Sequence, residues 1–216
     1  GNGQKELAEV ILGITKHSQG VIRLGELDIS QMSILERKKL GIGYISDDRH
    51  RDGLVLDMDL TENMLLKTHT ERNFIKHGLL RNKLIREDTQ KAVEEYNIKT
   101  QSLDIPIRYL SGGNQQKLIL ARELAGTPRA VVAFQPTRGL DIGAAEFIRQ
   151  KLLEHRFKGC SIMLISADLE EILALSDRIA VIYKGKIMGI VPNQKDLNLA
   201  GIGLMMAGRS MEGVVS

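Results

Sequence analysis

"LSGGNQQKLILARELAGTPRAVVAFQPTRGLD", Leu110–Asp141, decides the fold. Within it "SGGNQQKLILAREL" predicts a helix entered through a Ser-Gly-Gly turn, and "AVVAF" is an apolar run of strand length. The pattern repeats downstream. "GAAEFIRQKLLEH" predicts a helix, "SIMLIS" a strand, "DLEEILAL" a helix, and "RIAVIYKGKIMGI" a strand pair turning at Lys184-Gly185. Buried strands alternating with helices predict an α/β fold built on a mostly parallel, helix-covered sheet.

Upstream, "QKELAEVILGI" places Leu7, Val10, Ile11 and Ile14 on one helical stripe. "GVIRLGELDI" alternates in the strand manner about a turn at Gly25, and "LGIGYIS" predicts another short strand. From Thr61 the pattern changes to charged, helix-period segments such as "IREDTQKAVEEYNI". The tail "LAGIGLMMAGRSMEGVVS" predicts a Met-rich helix whose methionines fill core.

The formal charge of +3 over 216 residues is dispersed, with no long run of one sign, which argues against a nucleic-acid surface. Cys160 is the lone cysteine, so no intrachain disulfide can form, and its place at a strand entrance predicts a buried thiol. No apolar run reaches the roughly 20 residues of a membrane-spanning helix. The chain starts without methionine inside a glycine-rich loop, "GNGQKEL", as expected of a piece of a longer intracellular protein.

Two glycines leading into a helix aim unpaired N–H groups outward, and Ser111 adds a hydroxyl, so "LSGGNQQK" is shaped to hold phosphate. Ser-Gly-Gly alone is common in unrelated loops. Its company is what carries weight: an apolar strand and "QPTRGLD" follow about 25 residues on, and then "ISADLEEILALSDRIAVIYKGKI".

Together these stretches resemble the nucleotide-binding domain of ATP-binding cassette (ABC) transporters over essentially the whole chain. The resemblance implies one domain over 1–216, of the P-loop NTPase type, with flanking helices, a small antiparallel β part and a helical subdomain over about 60–125. It makes Leu110, Ser111, Gly112, Gly113, Asn114 and Gln115 the family signature, Gly139, Leu140 and Asp141 the D-loop, and Asp47 the Q-loop position. Gly1, Asn2, Gly3, Gln4 and Lys5 become the end of the P-loop.

The departures from the family pattern are chemical. Where that pattern has a phosphate-binding lysine and a magnesium-binding hydroxyl, this chain has Gln4 and Lys5. Where it has the Walker B aspartate and the glutamate that polarises water, this chain has Phe134 and Gln135. Ala167 takes the place of the switch histidine. No catalytic residue and no metal ligand of its own is therefore expected.

In this family two cassettes pair head to tail, each completing the other's ATP site. The resemblance thus implies ATP as cofactor, with Mg2+ bound mainly at a partner cassette's site, that partner lying in the same full-length chain. The combination is similar to the second cassette of bacterial simple-sugar and nucleoside importers, with the nucleoside type favoured. Further expected partners are permease subunits and, indirectly, a solute-binding protein, on the cytoplasmic side of the membrane, with no nucleic acid. "DDRHRDGLVLDMDLTENMLL" resembles the permease-facing segment, although Asp47, Asp48, Arg49 and Arg51 fit a solvated loop equally. Two alternatives stay open: an ATPase working through Lys5, and an ABC module outside transport.

Overall fold

The alternation of strands and helices is realised in the computed structural model, which describes residues 2–68, 74–76 and 79–209. Two compact units form: Gly41–Met163, and the flanking segments Gly1–Leu40 with Leu164–Ser216.

The first flanking segment holds α1 (Gln4–Leu12), β1 (Arg23–Leu24), β2 (Leu27–Asp28) and α2 (Ile34–Lys39). β1 and β2 pair antiparallel about the turn expected at Gly25. α1 stops at Gly13 (φ 79°), so Ile14 lies beyond the helix and is 53% exposed rather than on its buried stripe. Ala8 and Leu12 are the buried residues of α1 instead. The stop is held by Arg37, 3% exposed, whose Nη1 donates to the carbonyls of Val10 (2.7 Å) and Ile11 (2.6 Å). Its Nε and Nη2 donate to Met32 and Ser30 carbonyls, both at 3.0 Å. One guanidinium thereby satisfies the Ile11 carbonyl, which the helix C-terminus leaves without a backbone partner, and adds to the Gly13 N–H already given to Val10.

The Gly41–Met163 unit starts with β3 (Ile42–Ile45) and a single π-type turn, Arg49–Gly53. Then come α3 (Leu60–Thr68), the two-residue strands β4 (Ile75–Lys76) and β5 (Leu79–Leu80), α4 (Asn82–Glu95), a 3-10 turn at Ile107–Tyr109 and α5 (Gly112–Leu124). β6 (Ala130–Phe134), α6 (Ile142–Phe157) and β7 (Ser161–Ile165) follow. β3 runs parallel to β6, with Ile42 opposite Ala130 and Ile45 opposite Ala133, and the sheet order is β3-β6-β7. Among the described residues the 60–125 stretch carries α3, α4 and α5, and the antiparallel β4–β5 pair is too short for two-residue alternation to reveal it. Cys160 is a buried free thiol.

α5 is the axis of this unit, with Leu118, Ile119, Leu120 and Leu124 almost fully buried. Its C-terminal end carries a buried charge cluster. Glu123 accepts from Arg122 Nε (2.9 Å), from Lys67 Nζ (3.2 Å) and from the Tyr44 N–H on β3 (3.2 Å). Burial alone would push this carboxyl up, but Lys67 and Arg122 together hold it below the ordinary glutamate value.

The last segment adds α7 (Leu169–Leu175), β8 (Arg178–Tyr183), β9 (Lys186–Pro192) and α8 (Leu199–Met206). β8 and β9 pair antiparallel about Lys184 (φ 46°) and Gly185 (φ 77°), both left-handed, as a tight hairpin turn requires. Ile202 and Met205 of α8 pack with Ile179 and Val181, so this part of the Met-rich stretch is core; residues 210–216 lie outside the described residues. Among the described residues no helix is long and apolar enough to cross a membrane.

Two outcomes follow from the buried cations and the carboxylate. Arg37→Met leaves the Ile11 carbonyl unpaired, removes the second bond to Val10 and is expected to cost about 2–4 kcal/mol of stability, read by denaturant unfolding. Glu123→Gln leaves Lys67 and Arg122 without their counter-charge and is expected to cost about 3–5 kcal/mol. Because the folded state lowers the Glu123 pKa, its contribution is complete above the unfolded carboxylate value and lost as pH falls through the folded one. Unfolding curves of Glu123→Gln should accordingly show a shallower acid dependence than the parent.

Candidate functional site

"LSGGNQQK" has a structural task for nearly every residue. Leu110 is buried and anchors the approach. Ser111 is the N-cap of α5, its Oγ accepting from the Asn114 N–H (3.4 Å) and from Asn114 Nδ2 (2.9 Å). Gly112 and Gly113 do not precede the helix; they are its first two residues. Their N–H groups sit where a helix provides no acceptor, so both are available to an anion.

Space around the glycines is tight. A β-carbon on Gly113 would lie 3.1 Å from the Ala144 β-carbon and 3.7 Å from Asp141 Oδ2. Asp141 is itself the N-cap of α6, Oδ1 accepting from the Ala144 N–H at 2.8 Å. The N-termini of α5 and α6 therefore meet, which brings Ser111, Gly112 and Gly113 together with Asp141. The absence of a side chain at 113 is what permits it.

The remaining polar residues of the stretch point inward. Gln115 is 5% exposed, and its Nε2 donates to the carbonyls of Ile107 (3.1 Å) and Leu110 (3.2 Å). Gln116, 3% exposed, donates from Nε2 to the Pro136 carbonyl at 2.9 Å and so ties α5 to the loop after β6. Asn114 Oδ1 accepts the Lys99 N–H at 2.9 Å. Lys117 donates to the Asn97 carbonyl (2.9 Å) and stands 4.5 Å over the Phe147 ring, and partial burial lowers its pKa. Sequence reasoning does not single out Gln116, which is flanked by Gln115 and Lys117 and carries no local sign that it faces inward.

In that loop, Phe134 ends β6 and Gln135 adopts φ 51°, a left-handed conformation that costs a non-glycine residue of order 1–3 kcal/mol. The Gln135 carbonyl accepts the Arg138 N–H at 3.1 Å, closing the turn toward Gly139 and Leu140. Phe134 and Gln135 are both half-buried, and neither side chain supplies a carboxylate. Asp47 stands two residues past the end of β3, also half-buried.

The flanking unit holds the other glycine-rich stretch, and it is closed on itself. Gln4 Oε1 accepts the Asn2 N–H at 2.8 Å. The Asn2 carbonyl accepts the Gly185 N–H at 2.8 Å, and Asn2 Oδ1 accepts the Lys184 N–H at 3.3 Å. A β-carbon on Gly3 would come 3.1 Å from Gly185 Cα. Lys5 is exposed, and Gly1 lies outside the described residues. Ala167 is exposed in the loop between β7 and α7. Among the described residues no three His, Cys, Asp or Glu side chains gather as a metal cluster.

Solved structures place the fold. A dimeric ATP-binding cassette in a post-hydrolysis state bound to ADP and Pi superposes with a TM-score of 0.75 at 19% identity, over 89% of this chain and 82% of that one. An ATP-binding cassette of an ABC transporter in its ADP conformation gives 0.73 at 21% identity, over 95% and 80%. Among curated relatives, the guanosine import ATP-binding protein NupO of Bacillus subtilis is 41% identical over 98% of this chain, which spans 41% of that protein. The nucleoside import ATP-binding protein NupA of Lactococcus lactis is 40% identical over 96% of the chain, again 41% of the relative. The ribose import ATP-binding protein RbsA of Lactococcus lactis is 37% identical over 91% of the chain, or 39% of the relative. The chain thus spans about two fifths of the length of these curated relatives. Residues 1–138 match the family model described as ABC transporter, and with the cassette fold around it the chain belongs to the ABC transporter family.

Proposed function

We propose that this cassette is part of the ATP-driven machinery of a bacterial nucleoside or simple-sugar importer, and that it lends the start of α5 to an ATP held by a partner cassette. One contrast supports the reading. The start of α5 keeps the Ser111 hydroxyl beside the Gly112 and Gly113 N–H groups, whereas Gln4 at the P-loop remnant has its Oε1 taken by the Asn2 N–H and Phe134 ends β6 without a carboxylate.

The chemistry of the open end is electrostatic. The Gly112 and Gly113 N–H groups and the Ser111 hydroxyl can donate to a terminal phosphate, at the positive end of the helix dipole. Asp141, fixed beside Gly113 by capping α6, borders that surface. If the phosphate belongs to a partner, these bonds exist only in the closed pair, and ATP shifts the open–closed equilibrium by their free energy.

ATP and Mg2+ serve this family in general, but the residues at this chain's own P-loop remnant and β6 end do not fit a magnesium nucleotide. Gln4 Oε1 is already accepting a hydrogen bond, Lys5 is a cation, and Phe134 has no oxygen. No hydrolytic step is assigned to Gln4, Lys5, Phe134, Gln135 or Ala167. The relatives' lengths support a second cassette in the same polypeptide, because this chain accounts for only about two fifths of each. The names of these relatives, as guanosine, nucleoside and ribose import ATP-binding proteins, support permease and solute-binding partners at the cytoplasmic membrane face.

In the full-length polypeptide assembled with its permease in vesicles, Ser111→Arg is expected to abolish both ATP turnover and solute uptake. Gln4→Ala and Gln135→Ala are expected to keep turnover within about twofold of the parent, since neither removes a transition-state contact. Equal losses in the two classes would contradict the division of labour.

A further inference from the structure

We propose that Arg49 and His50 are positioning residues that lock the turn after β3 onto α5, so that the phosphate-facing start of the helix moves with that turn. The inference rests on the role given above to Ser111, Gly112 and Gly113.

The turn Arg49–Gly53 is held in shape by Asp48, whose Oδ1 accepts the N–H groups of His50 (3.2 Å) and Arg51 (3.0 Å). It touches α5 at Gly112, Gln115, Ile119 and Arg122. Those positions are three, four and three residues apart, which is a single helical face. At the first, the Arg49 guanidinium occupies the space a side chain would need: a β-carbon on Gly112 would lie 2.9 Å from Nη2. The same guanidinium reaches the Arg138 carbonyl in the loop before Asp141 at 3.5 Å.

At the second, His50 Nε2 stands 2.9 Å from Gln115 Oε1. Because Gln115 Nε2 already donates to Ile107 and Leu110, its oxygen is the acceptor, and His50 must carry its proton on Nε2. At the third and fourth, a β-carbon on Gly53 would fall 2.7 Å from Ile119 Cδ1, and the Gly53 carbonyl accepts from Arg122 Nη2 at 2.7 Å.

The consequence is mechanical. Gln115 holds the carbonyls of Ile107 and Leu110, the segment that delivers Ser111 to the cap, and His50 fixes the orientation of Gln115. Without the His50 donor the Gln115 oxygen loses its partner, and the start of α5 is freed from the turn. His50 is exposed, so its truncation leaves the core intact. Of the charged residues after β3, then, Arg49 is not a solvated charge, while the Arg51 side chain, 78% exposed, is.

The test uses the full-length polypeptide with its permease in vesicles. Because the contacts act in the closed state, His50→Ala and Gln115→Ala are each expected to lower kcat about tenfold and to leave the KM for ATP within about twofold. The double variant should be no worse than the poorer single one, and His50→Gln, which restores a donor, should recover most of the rate. Hydrogen exchange supplies a readout independent of turnover: the amides of Asn114 and Gln115, both bonded to Ser111, should exchange about tenfold faster in His50→Ala. Multiplying losses in the double variant, a His50→Gln as poor as His50→Ala, or unchanged exchange would each overturn the positioning role. A Ser111→Arg assembly that still turns over ATP would instead overturn the reading on which it rests.

Discussion

Helix α5 is the constraint on which the Gly41–Met163 unit depends, because its two ends are held by different physics. At the C-terminal end a buried carboxylate binds two cations and a strand N–H, joining Glu123 to Lys67, Arg122 and β3. At the N-terminal end three hydrogen bonds from the Gln115 and Gln116 side-chain amides fix the approach to Ser111 and the exit from β6. Between them lies an apolar face that accounts for burial but not for direction. A helix so fixed presents its first N–H groups at one place and in one orientation, which is what electrostatic recognition of phosphate demands.

Equal numbers of glycines do not make equal sites. "GNG" and "SGG" both offer backbone without side chains, yet Gln4 folds back on Asn2 in the first, while in the second Ser111 keeps its hydroxyl beside Gly112 and Gly113. Gln135, left-handed at the end of β6, carries backbone strain without a carboxylate to use it. Each substitution alone would be an ordinary core or loop residue. Under the proposed division of labour, their coincidence with the Ser-Gly-Gly start of α5 is what makes the asymmetry chemically coherent.

Much of the fold was legible in the sequence because its signals are local. Alternating apolar runs gave β6, α6, β7 and α7 in order, and Lys184-Gly185 announced the β8–β9 turn, since only a left-handed pair fits there. The site was legible as a motif but not as geometry. Gln115 and Gln116 are polar residues in a helix and give no local sign that they face inward, because their partners at Ile107, Leu110 and Pro136 are set by tertiary packing. Ile14 falls off the α1 stripe because left-handed Gly13 ends the helix, a local stop signal that apolar spacing alone does not register and that Arg37 reinforces from far along the chain. His50 had no pattern at all; its role exists only because the turn after β3 lies along α5.

The proposed cassette offers a phosphate-binding helix start and no hydrolytic set of its own. This proposal is tested most directly by measuring phosphate release from Mg2+·ATP with the folded 216-residue cassette alone, beside the same measurement on the full-length polypeptide. The expected result is release at background from the cassette and turnover only from the full-length protein. Magnesium-dependent release by the cassette at about one per second, within the ordinary range of enzymes, would contradict the account.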